Sequence, residues 1–462
     1  MNAALSFRPI VAERDVEVIS RPSLSYWRDA WIRLKANRRA LVSLYIVIAL
    51  GLFTVVGPWL PFVPNHSAQD LDQISSPPGA DRTATIVEPY VPWSGVTVNA
   101  PGGQAPLEAP ASVSLAGEAT TQAVRIFWDP VRGAHGYRIY RNIAHPAPDD
   151  ALGMPLADVL VPSRVSFEDR LDIKPQEYFY SVVPLDRNGR EAPVYATLDV
   201  SAIRVITAEE AVKRGLAGST ADLAIGDQVE LKLHVLGTDY LGRDMLARLM
   251  HGARVSLFIG IVAPFLFILV GILYGSAAGF VGGRVDQVLM RFADFVVALP
   301  FLLFMILFRI LFKIEGGDSG IAPMLIAMVI LSWPAAARLV RGQILQIREE
   351  GYISASRLLG AKTPYLVLRH MIPNTMGVIL VTITFAVPSA IFTEAFLSFI
   401  GMGVAPPTPS WGSMCNEGIK TMLTYPHELI FPALFISITV LAFNLLGDGL
   451  RDALDARMRS QE

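Results

Sequence analysis

The stretch Ala40–Leu60, ALVSLYIVIALGLFTVVGPWL, contains no charged residue. About 20 such residues in a helix cross a hydrocarbon core about 30 Å thick, and a helix leaves no backbone N–H or C=O facing lipid. Five more uncharged runs follow: Val255–Val281, Phe295–Phe308, Ile321–Ala337, Thr375–Thr393 and Leu429–Gly447. The runs at 295 and 321 are short but extend past Arg309 and back to Gly320. One such run fits a buried core helix; six specify an all-α polytopic membrane protein. Composition supports this only as an average, because 17% of residues are charged and 52% are hydrophobic, against about a quarter charged in soluble domains. The formal net charge of -2 gives no field directed at nucleic acid. A single cysteine, Cys415, excludes an intramolecular disulfide and a Cys-rich zinc site.

The first run follows a basic flank but is too long for a signal-peptide core, and no small-x-small cleavage site follows it. It is expected to be an anchor. Arg28, Arg33, Lys35, Arg38 and Arg39 precede it, and no Lys or Arg follows until Arg82, which places residues 1–39 in the cytoplasm. Alternating sides then put the 338–373 segment, rich in Lys and Arg, inside with the tail 448–462. Arg243, Arg248 and Arg254 fall outside, where Asp239 and Asp244 offset part of their charge. The expected domains are the first span at 40–60, an extracytoplasmic insert at 61–236, and a core of five helices at 237–447. Within those helices Arg309 is the one charge singled out, placed near the outer end where its side chain reaches the interface.

The start of the insert, Asn65 to Pro110, is rich in Pro, Gly, Ser and Ala and is expected to be a linker. Strand signals follow at Val124–Trp128, Tyr137–Arg141, Tyr178–Val183 and Tyr195–Ile203, with a turn at Asp186–Gly189. Short strands separated by turns indicate a β-sandwich, and a short helix is expected within 207–226. Trp128, Gly136-Tyr-Arg-Ile-Tyr140 and Tyr178-x-Tyr-x-Val182 resemble a fibronectin type III domain over about residues 110–205, which implies that Trp128, Tyr137 and Tyr180 are core.

Three motifs stand out in the membrane part. Gly237, Thr238, Asp239, Gly242, Arg243 and Asp244 precede Gly252-Ala-Arg254; Asp244 can cap a short amphipathic helix re-entering the membrane. Gly271, Gly275, Gly279 and Gly283 stand four apart, a spacing that lets a second backbone approach closely; an internal helix or another subunit can fill the groove. Third, in the segment Glu349 to Pro373, Gly360 can end a helix in the left-handed conformation and Thr363 can cap the next, with Pro364 at its first position. Such a helical elbow either seats in a partner's groove or lies on the lipid headgroups.

This third stretch resembles the EAA loop of ABC importer permeases: Ala355, Gly360, Ile372 and Pro373 hold the family spacing, while Ser354, Ser356 and His370 depart from it. Gly237-Thr-Asp-x-x-Gly-Arg-Asp244, Gly252-Ala-Arg-x-Ser-Leu257, Phe399-Ile-Gly-Met-Gly-Val404, Pro409-Ser-Trp-Gly412 and Gly447-Asp-Gly-Leu-Arg-Asp452 are similar to the second, C-type permease of the dipeptide/oligopeptide/nickel group. The resemblance implies an ABC importer permease fold of six transmembrane helices with an inserted extracytoplasmic β-sandwich. It implies a heterodimer with a homologous permease, two cytoplasmic ATPases and an extracytoplasmic solute-binding protein, in a bacterial or archaeal cytoplasmic membrane. Tyr352, Ala355, Arg357, Gly360, Ala361, Lys362, His370 and Pro373 then become the ATPase-coupling residues. The implied solute is a peptide first, then an oligosaccharide, metal chelate or opine. No P-loop and no His-Glu-x-x-His occur, so a non-catalytic subunit with no metal or cofactor is expected. A membrane-anchored adhesion or receptor protein acting through the sandwich is the alternative, and a secondary transporter a third reading that the lack of ionisable groups near the midplane disfavours.

Overall fold

The computed structural model describes residues 26–99, 106–147, 151–312 and 320–454. They form two compact units: one made of the segments up to Ala80 and from His234 onward, the other of Asp81–Leu233. In the first unit, α1 (Tyr26–Ala36) and α2 (Arg38–Val55) are separated by Asn37, whose side-chain oxygen accepts the N–H groups of Arg39 and Ala40 at 3.1 and 3.3 Å. That cap starts the first span at Arg38, and a 3-10 turn at Gly57–Trp59 closes it. Residues 1–25 of the expected N-terminal segment lie outside the described residues.

The second unit begins with β1 (Thr83–Val87) and continues through β2 (Val113–Leu115), β3 (Val124–Trp128), β4 (Gly136–Asn142), β5 (Ala157–Val159), β6 (Ser166–Asp169), β7 (Glu177–Leu185) and β8 (Ala196–Ser201). It ends with β9 (Val205–Thr207), α3 (Ala208–Lys213) and β10 (Gln228–Glu230). Two sheets, ordered β2-β3-β6 and β5-β4-β7-β8, share one apolar core that contains Trp128, Tyr137 and Tyr180 at 2%, 1% and 0% exposure. The Tyr178 hydroxyl accepts the Lys174 N–H at 2.8 Å, the corner bond that sandwich domains use where the chain turns into a central strand. The four strands signalled in the sequence, two by alternation and two by β-rich composition, all form.

The linker expected at 65–110 is corrected. Thr83–Val87 is a strand, because its β-branched residues find partners on both sides: β9 runs parallel to it and β10 antiparallel. Val98 N–H also bonds Ser163 C=O, and Val165 N–H bonds Val96 C=O, so this stretch lies along the sandwich. Residues 100–105 lie outside the description. Ala84, Ile86, Ile206, Ala211 and Leu231 form a small separate core beneath α3. The unit therefore starts and ends in one ladder, with Thr83 opposite Glu230 and Leu231 N–H on Arg82 C=O at 2.9 Å.

The first unit resumes in α4 (Met245–Val281), α5 (Gly283–Val297), α6 (Phe301–Leu311), α7 (Ile321–Arg348), α8 (Gly351–Leu358), α9 (Thr363–Tyr365), α10 (Ile372–Phe399), α11 (Trp411–Gly418) and α12 (His427–Leu454). Five helices are long and apolar enough to cross a membrane, and six spans result if the bent pair α5–α6 counts as one. Two expectations change here. The run Phe295–Phe308 is not one straight helix: Pro300 lacks an N–H and restricts Leu299, and α5 and α6 meet at 80°. The re-entry helix is not separate, since Asp244 caps a single 37-residue helix; no proline interrupts Met245–Phe258, and Gly252 fits closely against Ser410. The last helix runs beyond Gly447 to Leu454, and residues 455–462 of the expected tail are outside the described residues.

The glycine ridge packs within the chain. A Cβ on Gly271 would stand 2.5 Å from Ala336 Cβ, one on Gly275 would meet the Ala337 carbonyl, and one on Gly279 would stand 3.0 Å from the Arg341 carbonyl. Gly283 is not part of this seam: it follows the break at Gly282, has φ +59°, and has open space where a side chain would be. Gly275→Val should therefore force α4 and α7 apart, at a cost of about 1–3 kcal/mol or more. Its melting temperature in detergent should fall by several degrees while Gly342→Ala, inside α7 and meeting nothing within 4 Å, should not lower it.

Candidate functional site

At one end of the first unit α8, α9 and a wide helical turn at Leu366–Met371 form the elbow. Three apolar side chains root it: Ile353 and Met371 are buried in a core that includes Ile344 and Ile379, and Leu366 is buried as well. Gly360 has φ +86°. Its N–H bonds Arg357 C=O at 3.0 Å, while Ala361 N–H reaches Ser356 C=O at 3.1 Å. This paired pattern satisfies the last carbonyls of α8 and needs a left-handed residue, which glycine supplies. The next helix is capped differently from expectation: Lys362 occupies the cap without a side-chain bond, and Thr363 is already helical with Pro364 behind it. The wide turn ends where Pro373 enters α10; a proline leaves the carbonyl four residues back without its helical partner, and widening absorbs that loss.

The elbow brings the proposed coupling residues to one exposed surface. Tyr352, Ala355, Arg357, Lys362 and Pro373 are exposed, and Ala361 and His370 are half-buried. His370 lies edge-on to Tyr365 and Tyr352, at 5.3 and 6.4 Å between rings, and Asn374 donates to the Tyr352 hydroxyl at 2.8 Å. Leu358 and Leu359 at the tip are 88% and 89% exposed. Two adjacent bare leucines on a backbone held by hydrogen bonds make an apolar projection suited to a protein groove.

The Gly237–Asp244 motif builds a buried ionic knot. Asp239 accepts the Arg243 guanidinium at 2.7 Å and also that of Arg248; both arginines reach Glu417, at 2.9 and 2.6 Å. Asp239, Arg243 and Arg248 are buried, so each charge depends on the others. Gly242 and Gly237 have φ +73° and +76°, and a Cβ on them would collide with the carbonyls of Asp70 and Ser76. That close approach lets residues 70–76 pair with 238–242: Thr238 N–H bonds Ser76 C=O at 2.9 Å and Asp70 N–H bonds Gly242 C=O at 2.8 Å. His427 at the start of α12 bonds Thr238 C=O at 3.0 Å. Arg254 stands apart from the knot and donates to Thr54 C=O at 2.9 Å at the end of α2. These residues tie chain segments together; none of them presents an open donor set to a solute.

Sequence reasoning overlooked several members. Glu417 and His234 lie outside any local pattern. Glu394 is fully buried in α10, accepting the hydroxyls of Ser256 and Ser398 at 2.8 Å each. Counting uncharged runs cut the span at Thr393, one residue before it, so Arg309 is not the only ionisable residue within a span. Arg309 itself bonds Gly401 C=O at 2.5 Å, and Asp286–Arg341 and Asp294–Arg338 pair α5 with α7.

Burial alone would lower the pKa of His234, but a hydrogen bond to Asp244 (2.7 Å) and the Asp70 carboxylate 3.6 Å away hold it at about 9. Its ordinary value is 6.5, so the folded state binds the proton more tightly. The resulting stability is complete below 6.5 and is lost as pH rises through about 9. The melting temperature should fall across that window, and His234→Gln should flatten the fall; an unchanged slope would place the titration elsewhere.

Residues 271–460 match the model of the binding-protein-dependent transport system inner membrane component, and residues 25–78 match that of the N-terminal TM domain of oligopeptide transport permease C. Oligopeptide transport system permease protein OppC of Bacillus subtilis is 49% identical over 241 residues, covering 52% of this chain and 77% of that protein. Dipeptide transport system permease protein DppC of the same organism is 46% identical, covering 49% and 69%. Glutathione transport system permease protein GsiD of Pectobacterium atrosepticum is 43% identical, covering 49% and 74%. The two family matches lie on either side of the Asp81–Leu233 unit. With its apolar helices and these relatives, the chain belongs to the permeases of binding-protein-dependent transport systems, as a second permease of the OppC/DppC type.

Proposed function

We propose that this chain forms half of the solute path of an ATP-driven importer and takes the power stroke at the elbow 349–373. A homologous permease would supply the other half, two cytoplasmic ATPases the drive, and an extracytoplasmic binding protein the solute, for which peptides come first because relatives carry peptide names. The observation that carries this reading is the elbow itself: three buried anchors, a glycine-ended helix and two bare leucines make a rigid projection. Closure of the ATPases would push on it, and the continuous helical path from Thr363 into α10 would carry the displacement into the membrane. The chain itself would hydrolyse nothing.

Gly360→Asp places a side chain on a left-handed backbone where L residues are disfavoured. ATP-driven uptake should drop more than tenfold and the tagged ATPase should no longer co-purify, while the chain still inserts. Normal co-purification and uptake would remove the elbow from the mechanism.

The second unit is proposed to lie outside, between the first two spans, where it docks or shields the binding protein. Its ends leave as neighbours in one ladder, so joining Ala80 to His234 deletes 81–233 with little disturbance to the 70–76/238–242 pairing. Uptake by this deletion should survive with weakened binding-protein affinity. An unchanged affinity would assign the unit another role.

A further inference from the structure

The helix α5 exposes two different surfaces. Val285, Val288, Phe292 and Phe295 form one exposed apolar stripe. Arg284, Gln287, Arg291, Asp294 and Ala298 recur at the same helical spacing, about 100° around the axis, and are also exposed. The third face, with Asp286, Ala293 and Val296, is buried. One helix with two exposed faces of opposite polarity meets two different solvents, and the apolar stripe suits lipid.

The polar stripe does not suit lipid. Asp294 accepts the Arg338 guanidinium at 2.7 Å, and their side chains are 50% and 45% exposed. Arg338 lies about 15 Å from the Arg348 end of α7 at 1.5 Å per residue. From there α5 continues along α7, with Asp286 on Arg341 and the Phe292 ring on Trp333 at 6.3 Å. A half-exposed carboxylate at that depth is costly in hydrocarbon, and Asp is too short to reach the headgroups as Arg can. Arg284 and Arg291 form no ion pair among the described residues, so the stripe with Arg338 carries three positive charges against one negative.

Resting on the importer reading, we propose that Arg284, Gln287, Arg291 and Asp294, with Arg338 of α7, line the water-filled solute path. The excess positive charge makes this wall favourable to solutes that carry a carboxylate.

Cys415 is the only native cysteine, so Cys415→Ser gives a cysteine-free background. Gln287→Cys and Ala298→Cys place a thiol on the polar stripe without touching its charges; Val288→Cys and Phe295→Cys place one on the apolar stripe. The assembled complex with its ATPases, in vesicles, is treated with charged methanethiosulfonates. Positions 287 and 298 should react and 288 and 295 should not. The sulfonatoethyl reagent should react at least threefold faster than the trimethylammonioethyl reagent, relative to their rates on free cysteine. Trapping with ADP and vanadate should change the rate at 298 by at least threefold. Protection of 287 and 298 in the assembled complex would assign the stripe to packing against a partner, and a rate indifferent to trapping would assign it to the headgroups; either overturns the path. A reversed preference between the reagents would overturn the carboxylate preference. Loss of ATP-driven uptake in the unsubstituted complex would overturn the importer reading itself, a failure visible without any labelling.

Discussion

The close approach of α4 to α7 is the contact on which the membrane unit depends. In lipid, apolar side chains gain little by leaving one apolar medium for another, so helices associate by packing closely. Gly271, Gly275 and Gly279 remove the side chains that would hold the two backbones apart. That seam sets where α7 stands, and α7 in turn supplies Arg341, Arg338 and Trp333, against which α5 is laid. The elbow hangs from the far end of α7, so its position also follows from three missing side chains on α4.

A second constraint acts at the opposite end. Asp239, Arg243, Arg248 and Glu417 are charges that hydrocarbon or a dry interior would reject singly, and together they are neutral. The set joins the returning chain, the start of α4 and α11, so several segments are fixed by a requirement for mutual charge satisfaction. Glu394 is held without a cation: Ser256 accepts the Trp411 N–H at 3.2 Å and donates its own proton to the Glu394 carboxyl. Each of these buried groups is held by groups from other elements, which is why loss of one partner strains several.

What could be read from the residues follows the range of the interactions. Alternation marked β3 and β4, β-rich composition marked β7, which is buried on both faces, and the resemblance to a fibronectin type III domain assigned Trp128, Tyr137 and Tyr180 to a core; all three signals are local. The cap at Asp244 and the turn at Gly360 were legible for the same reason: each acts within four residues. The bend at Pro300 had a local signal, Leu299-Pro300, that a search for long uncharged runs passed over. Nothing near Arg243 announces Glu417, and nothing near Thr83 announces Val205 or Glu230. The elbow's residues were found from motif spacing, but the bareness of Leu358 and Leu359 depends on Ile353, Leu366 and Met371 turning inward, which no single position reveals.

The ladder that closes the inserted unit has a consequence for how the chain reaches its final state. Bringing Thr83 to Glu230 across an unstructured loop carries an entropic cost of about 4 kcal/mol. Once the sandwich and its small companion sheet have folded, that long loop behaves as a short tether, and α4 is delivered beside α2 by a connection only a few residues long in effect. The β-rich unit thus serves assembly whatever it binds: its own folding energy offsets the cost of a long excursion between two neighbouring helices.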